Sequence, residues 1–231
     1  MAKANSMGKK ILYILACLII LSWVLKYWWI SSGSNEWQLE IDKDGVQVYS
    51  LKTPGSYMKQ FKTIKRTKMS INQLAAGFLL DNHSLENCKK WLPTCIGDEV
   101  IEPYSDAKQG DTILWTLEFG PFSNREFLLR NYARQHDDGI VSVDIMAIAN
   151  KQPRNDCCFR IVHMHNRWQF KPLDNGEVEI QFLQDAKIGG FFPDFLINFG
   201  AADQAYTMFS QQLDGFLDKD KYRQATFDFI K

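Results

Sequence analysis

The sequence predicts an α+β domain in which a curved antiparallel sheet of seven or more strands packs on one long C-terminal helix, preceded by a single membrane helix. Three observations predict this arrangement. A largely apolar run occupies residues 11–30, apolar and polar residues alternate along the middle of the chain, and apolar residues recur at helical spacing near its end. The 231 residues are 45% hydrophobic, which suits one domain with a substantial core.

The first element is the apolar run, whose only charged side chain is Lys26. At about 1.5 Å per residue the run is long enough to cross a hydrocarbon core of roughly 30 Å. Lys26 and the aromatic residues 27–29 lie at the C-terminal end of the run. Lysine and aromatic side chains favour the membrane–water interface, so the run is expected to leave the membrane there. Basic residues precede the run and acidic residues follow it, so the positive-inside rule places residues 1–10 in the cytoplasm and the domain on the periplasmic or exoplasmic side.

A cleaved signal peptide is the alternative, because the small residues Ser31, Ser32 and Gly33 follow the run. The chain would then be secreted or periplasmic. The run exceeds the roughly 7–15 apolar residues of a signal peptide and ends in bulky aromatic residues, which favours a permanent anchor. Residues 31–36 are then expected to form a flexible linker, residues 37–220 the domain and residues 221–231 a C-terminal tail.

The domain is expected to open with a hairpin, a third strand and two short helical segments. Asp44-Gly45 is a hairpin signal, because both positions tolerate a positive φ. A third strand is predicted over residues 57–68, and Ser70 is placed to cap a helix over residues 71–80. A second helical or irregular segment follows over residues 85–91.

The middle of the domain alternates apolar and polar residues in segments that start near residues 112, 126, 141 and 178, which predicts half-buried strands. The segment at residues 158–170 has no cleanly apolar face, which indicates a strand interrupted by a bulge. A final helix is predicted over residues 193–217, with a proline in its first turn. Its apolar stripe should pack on the concave face of the sheet; the stripe comprises Phe195, Phe199, Ala202, Tyr206, Phe209, Leu213 and Phe216.

Three motifs within this framework resemble the START (steroidogenic acute regulatory protein-related lipid transfer) domain family of the helix-grip superfamily. They are GPFSNREF at residues 120–127, WQFKP at residues 168–172 and IGGFFPDFLIN at residues 188–198. Glu126 stands where the family usually has Asp, and Phe195 stands where Trp is common. The resemblance covers about residues 37–220, and its motifs follow in the family's order.

The resemblance implies a helix-grip fold that encloses one lipid, such as a sterol, phospholipid or fatty acid, in an apolar cavity. It also implies a lid made by the terminal helix and a neighbouring loop. We expect that loop at residues 119–124, containing Gly120, Pro121 and Phe122, with Arg125 supporting it through an ion pair. The expected cavity wall comprises Trp115, Leu117, Phe119, Phe127, Leu129, Val143, Ile145, Phe182, Phe199, Tyr206 and Phe209.

Several polar residues within the domain leave alternatives open. Asn131 lies on the apolar face of its strand, where it either binds a lipid head group or is a satisfied core amide. His163 and His165 share a strand face but lack a third ligand, so no metal site is expected. The adjacent Cys157 and Cys158 are expected to be free or packed.

Cys88 and Cys95 are a better cysteine pair, since outside the cytoplasm they could close a small loop around Trp91 and Pro93. We keep this disulfide as a hypothesis, because cysteine spacing alone does not establish a bond.

The sequence contains no phosphate-binding loop, nucleophile elbow or zinc-ligand cluster, so we expect neither catalysis nor a cofactor. The 27 basic and 27 acidic side chains cancel, which argues against nucleic acid as a partner. The expected partners are a lipid ligand and the membrane, with a monomeric soluble domain. Two alternatives remain: a helix-grip cyclase, aromatase or hydrolase, and a sensor that reports lipid occupancy to a protein partner.

Overall fold

The computed structural model of the chain describes residues 2–80, 84–190 and 194–231. Side-chain environments are described for residues 8–80, 84–190 and 197–231, so the predicted helix start at Pro193 and the side chain of Phe195 lie outside the described residues. The helices are α1 (Ala2–Ser31), α2 (Ile71–Leu79), α3 (Leu85–Trp91), α4 (Asp194–Thr207), α5 (Leu213–Leu217) and α6 (Asp220–Arg223), with a π-turn at Met208–Gln212.

The strands are β1 (Trp37–Lys43), β2 (Val46–Leu51), β3 (Gln60–Thr67), β4 (Cys95–Ser105), β5 (Gly110–Phe119), β6 (Phe122–Gln135), β7 (Val141–Ala147), β8 (Cys158–Arg160), β9 (His163–Pro172), β10 (Val178–Gln184) and β11 (Ala186–Lys187). Nine of them form one antiparallel sheet in the order β1-β2-β3-β10-β9-β7-β6-β5-β4. The short strands join from the side, β11 on β9 and β8 parallel to β6. The predicted fold class, an α+β helix-grip domain with one N-terminal apolar helix, is confirmed.

Local signals in the sequence account for several boundaries. Asp44 and Gly45 both adopt positive φ, at 52° and 73°, as their hairpin turn requires. Ser70 accepts a hydrogen bond from the backbone N–H of Gln73, which confirms the predicted cap of α2. The uncertain segment at residues 158–170 is two strands, because β8 pairs with β6 whereas β9 pairs with β7 and β10.

Strand β4 was not predicted. It lies at the edge of the sheet, and its pairing with β5 shifts register three times between Cys95 and Ser105. Each shift interrupts the two-residue alternation by which a strand is recognised in a sequence. An edge strand also buries less of each side chain, so β4 tolerates the acidic residues that hide its pattern.

The buried face of the C-terminal helix differs from the predicted stripe. Phe199 is 89% exposed, and Tyr206 directs its hydroxyl to Asp44 in the β1–β2 turn instead of into the interior. The buried residues follow one another in steps of four: Ala201, Ala205, Phe209, Leu213 and Leu217.

The π-turn explains this difference. An α-helix has about 3.6 residues per turn, so side chains four residues apart differ in direction by about 40°. In a regular α-helix, residues spaced by four would therefore turn progressively away from the sheet. The π-turn adds a residue to one turn and returns Leu213 and Leu217 to the interior. Two alanines in the first half let α4 approach the sheet closely.

The C-terminal segment is part of the core instead of a tail. Tyr222 is fully buried and Phe227 nearly so, and both belong to the apolar cluster beneath the helices. The backbone N–H of Phe227 donates to Oδ1 of Asn72 at 3.1 Å. The domain therefore extends beyond the predicted boundary at residue 220.

The segment at residues 31–36 is held against the domain and is not the expected free linker. Gly33 has a φ of 120°, and a β-carbon there would lie 2.2 Å from the carbonyl oxygen of Lys52. Asn35 donates its N–H to the same carbonyl, and Nζ of Lys52 donates to the carbonyl of Ser32 at 3.0 Å. Burial lowers the pKa of Lys52.

Helix α1 contains a stretch, Gly8–Ser31, that is long and apolar enough to cross a membrane. None of its most apolar window is buried against the rest of the protein. A signal sequence has the same length and composition, so this helix leaves open the choice between anchor and leader.

Candidate functional site

Two apolar clusters fill the interior of the sheet. The first, which we call the helix cluster, joins the sheet to α2, α5 and the π-turn around Trp168. The second, the hairpin cluster, lies beneath the β5–β6 hairpin. Its buried members are Cys88, Cys95, Ile113, Leu117, Phe127, Leu129 and Ile161, and its partly exposed members are Leu92, Trp115, Phe119, Ile145, Phe159, Met164 and Ile188.

The helix cluster is a packed core. The ring of Trp168 stacks on Phe182 at 4.3 Å and on Phe209 at 5.5 Å, and lies 4.6 Å from Phe78. Such a stack leaves little room for a ligand between the rings. Val143, Phe182 and Phe209, which the sequence placed in the cavity wall, therefore contribute to the attachment of the helix to the sheet.

The hairpin cluster is the candidate cavity wall. It brings together six of the predicted wall residues: Trp115, Leu117, Phe119, Phe127, Leu129 and Ile145. It also includes Met164 and Ile188, which sequence reasoning missed. Its partly exposed members leave apolar surface that a ligand could contact, and ligand pockets are lined mainly by apolar side chains.

A signal for Met164 exists in the sequence. In strand β9, Met164, Asn166, Trp168 and Phe170 alternate on the inner face. The buried polar residue Asn166 interrupts this apolar series, which is why neither face looked apolar. Its Oδ1 accepts a hydrogen bond from the backbone N–H of Asp185.

Two side chains in or next to the hairpin cluster hold buried polar atoms that have no hydrogen-bond partner among the described residues. Nε1 of Trp115 belongs to the cluster, and both amide atoms of Asn87 belong to the residue that precedes the cluster member Cys88 in α3. A buried polar group left without a partner costs about 1–3 kcal/mol. These atoms are therefore candidate contacts for the polar part of a ligand.

Two roles were open for Asn131, a contact to a lipid head group or a satisfied core amide, and its contacts favour the core amide. Its Nδ2 donates to Oδ1 of Asp111 at 2.6 Å, and both side chains are buried. An amide held by a carboxylate on the neighbouring strand has less capacity to bind a ligand.

The expected lid loop is a tight β-hairpin. Strand β5 ends at Phe119 and β6 begins at Phe122, so only Gly120 and Pro121 lie between the strands. Gly120 has a φ of 58°, which favours glycine at this turn. The segment is thus a regular part of the sheet that extends over the hairpin cluster, and not a long loop.

Arg125 supports this hairpin from within. Its side chain is buried, and it donates to the carbonyl of Ser123 and, at 3.0 Å, to that of Gly189. The guanidinium lies 5.0 Å from the ring of Phe119 and 5.7 Å from that of Phe159. Burial lowers the pKa of Arg125, as expected for a charge taken from water. The described hydrogen bonds of Arg125 thus tie the hairpin to the main chain at Gly189.

A buried ion pair adjoins the hairpin. Nε of Arg160 donates to Glu126 at 2.8 Å, and both side chains are almost entirely buried. Arg160 also donates to the carbonyls of Ala149, Gln152 and Pro153. Glu126 in turn accepts hydrogen bonds from the backbone and side chain of Asn155. The pair therefore holds the connection between β7 and β8 against the base of the hairpin.

The structure contains two disulfides. Cys88 and Cys95 are bonded, with their Cα atoms 5.9 Å apart, and join the middle of α3 to the start of β4 within the hairpin cluster. Cys157 and Cys158 are also bonded, contrary to the expectation that they are free or packed. The expectation rested on the constraint of adjacent residues, but the bond closes within one short turn that leads into β8.

The two histidines share a face of β9 but have different partners. Nε2 of His163 lies 2.9 Å from Asp185, and Nε2 of His165 lies 2.7 Å from Asp144. Arg167 donates to the same oxygen of Asp144 at 2.6 Å. The two histidines thus belong to separate groups of contacts, and within residues 8–80, 84–190 and 197–231 no group of three ligands suited to a metal ion occurs.

No known protein-family profile matches the chain. An uncharacterized protein of Pseudomonas aeruginosa is 23% identical over 169 residues, which cover 71% of this chain and 79% of that protein. Among solved structures, the STAR-related lipid transfer protein of Xanthomonas axonopodis superposes with a TM-score of 0.67 at 21% identity, covering 79% of this chain and 99% of that one.

Two human proteins are also similar. Human STARD10 gives a TM-score of 0.64 at 15% identity and covers 84% of this chain and 78% of its own. Human StAR-related lipid transfer protein 5 gives 0.60 at 15% identity, with coverages of 88% and 95%. These similarities agree with the motifs at residues 120–127, 168–172 and 188–198.

Proposed function

The domain has the fold of the START-related lipid-transfer proteins, and we propose that it binds one lipid at the hairpin cluster and carries it to or from the membrane that holds α1. The observation that carries this proposal is the hairpin cluster itself. Trp115, Phe119, Ile145 and Met164 present partly exposed apolar surface beneath the β5–β6 hairpin. The edge of this hairpin, which Arg125 ties to the carbonyl of Gly189, is the entrance that we propose for the lipid. An enclosed lipid would avoid about 0.8 kcal/mol of exposure to water per CH₂.

The buried polar atoms of Trp115 and of Asn87, the neighbour of Cys88 in α3, support a ligand that also forms hydrogen bonds. Asn87 offers both a donor and an acceptor, and Trp115 offers a donor. A hydroxyl, ester or acid group on an otherwise apolar molecule would match this set. An amide and an indole are poor general acids and bases at neutral pH, which favours binding without catalysis.

We propose that α1 anchors the chain as a single span, with residues 1–10 in the cytoplasm and the domain on the periplasmic or exoplasmic side. The exposed apolar surface of Gly8–Ser31 supports insertion into a bilayer. The bond between Cys88 and Cys95 supports an oxidising compartment, because disulfides persist mainly outside the cytoplasm.

Lipid loading tests the binding site. We expect the fragment at residues 37–231 to be purified with a lipid that solvent extraction and mass spectrometry recover unchanged. The Ile145→Trp substitution should lower the lipid content at least about tenfold, because two displaced methylene contacts already remove roughly 1.6 kcal/mol. The matched control is Val100→Trp on the exposed side of β4, which should retain its lipid.

Two outcomes would contradict this proposal. Absence of lipid from the folded fragment, even after incubation with mixed-lipid vesicles, would exclude the binding function. Chemical conversion of the bound molecule would favour the helix-grip enzyme alternative instead.

Removal of α1 tests the anchor. We expect the full chain to remain with membranes after an alkaline carbonate wash, and the fragment at residues 37–231 to be recovered in the soluble fraction. The expected shift is nearly complete, because a transmembrane helix inserts almost irreversibly. Immunoblots of both fractions measure it, and an N-terminal tag lost from the mature chain would indicate cleavage of a leader.

A further inference from the structure

The end of α1 is attached directly to the domain. Nε1 of Trp29 donates to the carbonyl of Tyr57 at 2.9 Å, and the N–H of Gly55 donates to the carbonyl of Ile30 at 2.7 Å. The ammonium of Lys26 lies 5.3 Å from the ring of Tyr57. Tyr57 is therefore placed at the level of the lysine and indoles that mark the membrane interface.

The same Tyr57 carbonyl also holds the terminal helix. Nδ2 of Asn198 in α4 donates to it at 2.9 Å, and Oδ1 of Asn198 accepts the backbone N–H of Lys59 at 2.8 Å. One main-chain oxygen thus receives a hydrogen bond from the anchor and one from α4. The first turns of α4 are therefore tied to the end of α1.

Strand register places the candidate entrance at this same end of the sheet. The connection at residues 52–59 follows the pair Leu51–Gln60. The β5–β6 hairpin, which turns between Phe119 and Phe122, lies at the same end of the sheet as this connection. Val162, between β8 and β9, also lies at that end. The turns at the opposite end instead carry acidic residues, namely Asp44, Asp137, Asp138 and Asp174.

The two most exposed apolar side chains of the domain also lie at this end. Beyond α1, the two most exposed large apolar side chains among the described residues are Phe199, at 89%, and Val162, at 71%. The next is Leu39, at 52%. Val162 also borders an open groove of about 500 Å³ formed with residues 147–151. Burying such a side chain in an apolar phase gains about 1.5–3 kcal/mol.

We propose that this end of the domain rests on the bilayer that holds α1, with the side chains of Phe199 and Val162 inserted among the lipids. The inference rests on the proposed anchor but not on the proposed lipid cavity. It assigns a membrane-contact surface to the start of α4 and to the β8–β9 connection. The hairpin entrance then opens towards the bilayer, so that a lipid passes between membrane and cavity without crossing water.

Fluorescence quenching by brominated lipids tests this contact in the full chain. In a Cys17→Ser background, the variants Phe199→Cys, Val162→Cys and Asp138→Cys are each labelled with an environment-sensitive fluorophore and reconstituted into phosphatidylcholine vesicles. Asp138 is the control, since it is exposed in the turn at the opposite end of the sheet. We expect brominated chains to cause a loss of fluorescence at positions 199 and 162 and none at 138.

Three outcomes would overturn the proposal. Equal fluorescence at all three positions in brominated and plain vesicles would place this end away from the bilayer. A blue shift without quenching would mean that the label is buried in protein. Quenching at only one of positions 199 and 162 would contradict the insertion of both. Flotation of the same vesicles separates these results from failure of the anchor, because a chain that does not float refutes both proposals.

Discussion

The Glu126→Gln substitution should lower the free energy of unfolding by about 3–5 kcal/mol. Glu126 is fully buried, and it is the carboxylate that receives Nε of Arg160 and both N–H groups of Asn155. Glutamine keeps the size of the side chain but leaves the buried guanidinium without its counter-charge. We expect the connection at residues 149–155 to loosen first, because Arg160 and Glu126 together hold it.

Urea unfolding of the fragment at residues 37–231 measures the change, and hydrogen exchange locates it. Glu118→Gln is the matched control, because Glu118 is exposed on the neighbouring strand and its loss should change stability by no more than about 0.5 kcal/mol. Equal stability of the two variants would mean that water reaches the ion pair and that the connection has another support.

The Trp168→Ala substitution should cost about 3–5 kcal/mol of unfolding free energy. Trp168 is the centre of the helix cluster, in contact with Phe78, Phe182 and Phe209 at ring distances between 4.3 and 5.5 Å. Removing the indole leaves a cavity between the sheet and the terminal helix that three rings cannot readily fill. Thermal unfolding followed by circular dichroism measures the loss.

Two measurements make this prediction specific. Trp37→Ala is the control: its ring is partly exposed on the edge strand β1 and contacts Lys62 at 4.5 Å, so its loss should cost much less. At temperatures where Trp168→Ala stays folded, we expect it to keep its lipid, because Trp168 belongs to the helix cluster, which among the described residues shares only Ile145 with the hairpin cluster. Loss of lipid without loss of folding would show instead that the ligand reaches Trp168.

Much of the candidate site was predictable from alternation along single strands. Trp115, Leu117, Phe127 and Leu129 fall on one face of two strands joined by a hairpin, so their proximity follows from the pleat. Met164 was not predicted as a site residue because the polar Asn166 lies on the same face of its strand. Asn87 was not predicted for another reason: the sequence of a short helical segment does not indicate that an amide will be buried without a partner among the described residues.

Phe199 shows the limit of spacing arguments on a helix. Its position fits an apolar stripe of a straight helix, yet the π-turn nine residues later changes which side chains face the sheet. A π-turn is stabilised by tertiary contacts as much as by local sequence. One such contact is the hydrogen bond from Lys65 of β3 to the carbonyl of Phe209, at 2.9 Å.

The sequence by itself determined the apolar helix, the alternating strands, the turn at Asp44-Gly45 and the START motifs, because these depend on neighbouring residues and on short-range backbone preferences. Only the tertiary structure decided which apolar residues belong to the helix cluster and which to the hairpin cluster. It also decided which apolar residues stay exposed at the end of the domain next to α1. The physical reason is that burial depends on what lies opposite a side chain. For Phe199, Asn87 and Tyr57 the neighbours that matter come from distant parts of the chain.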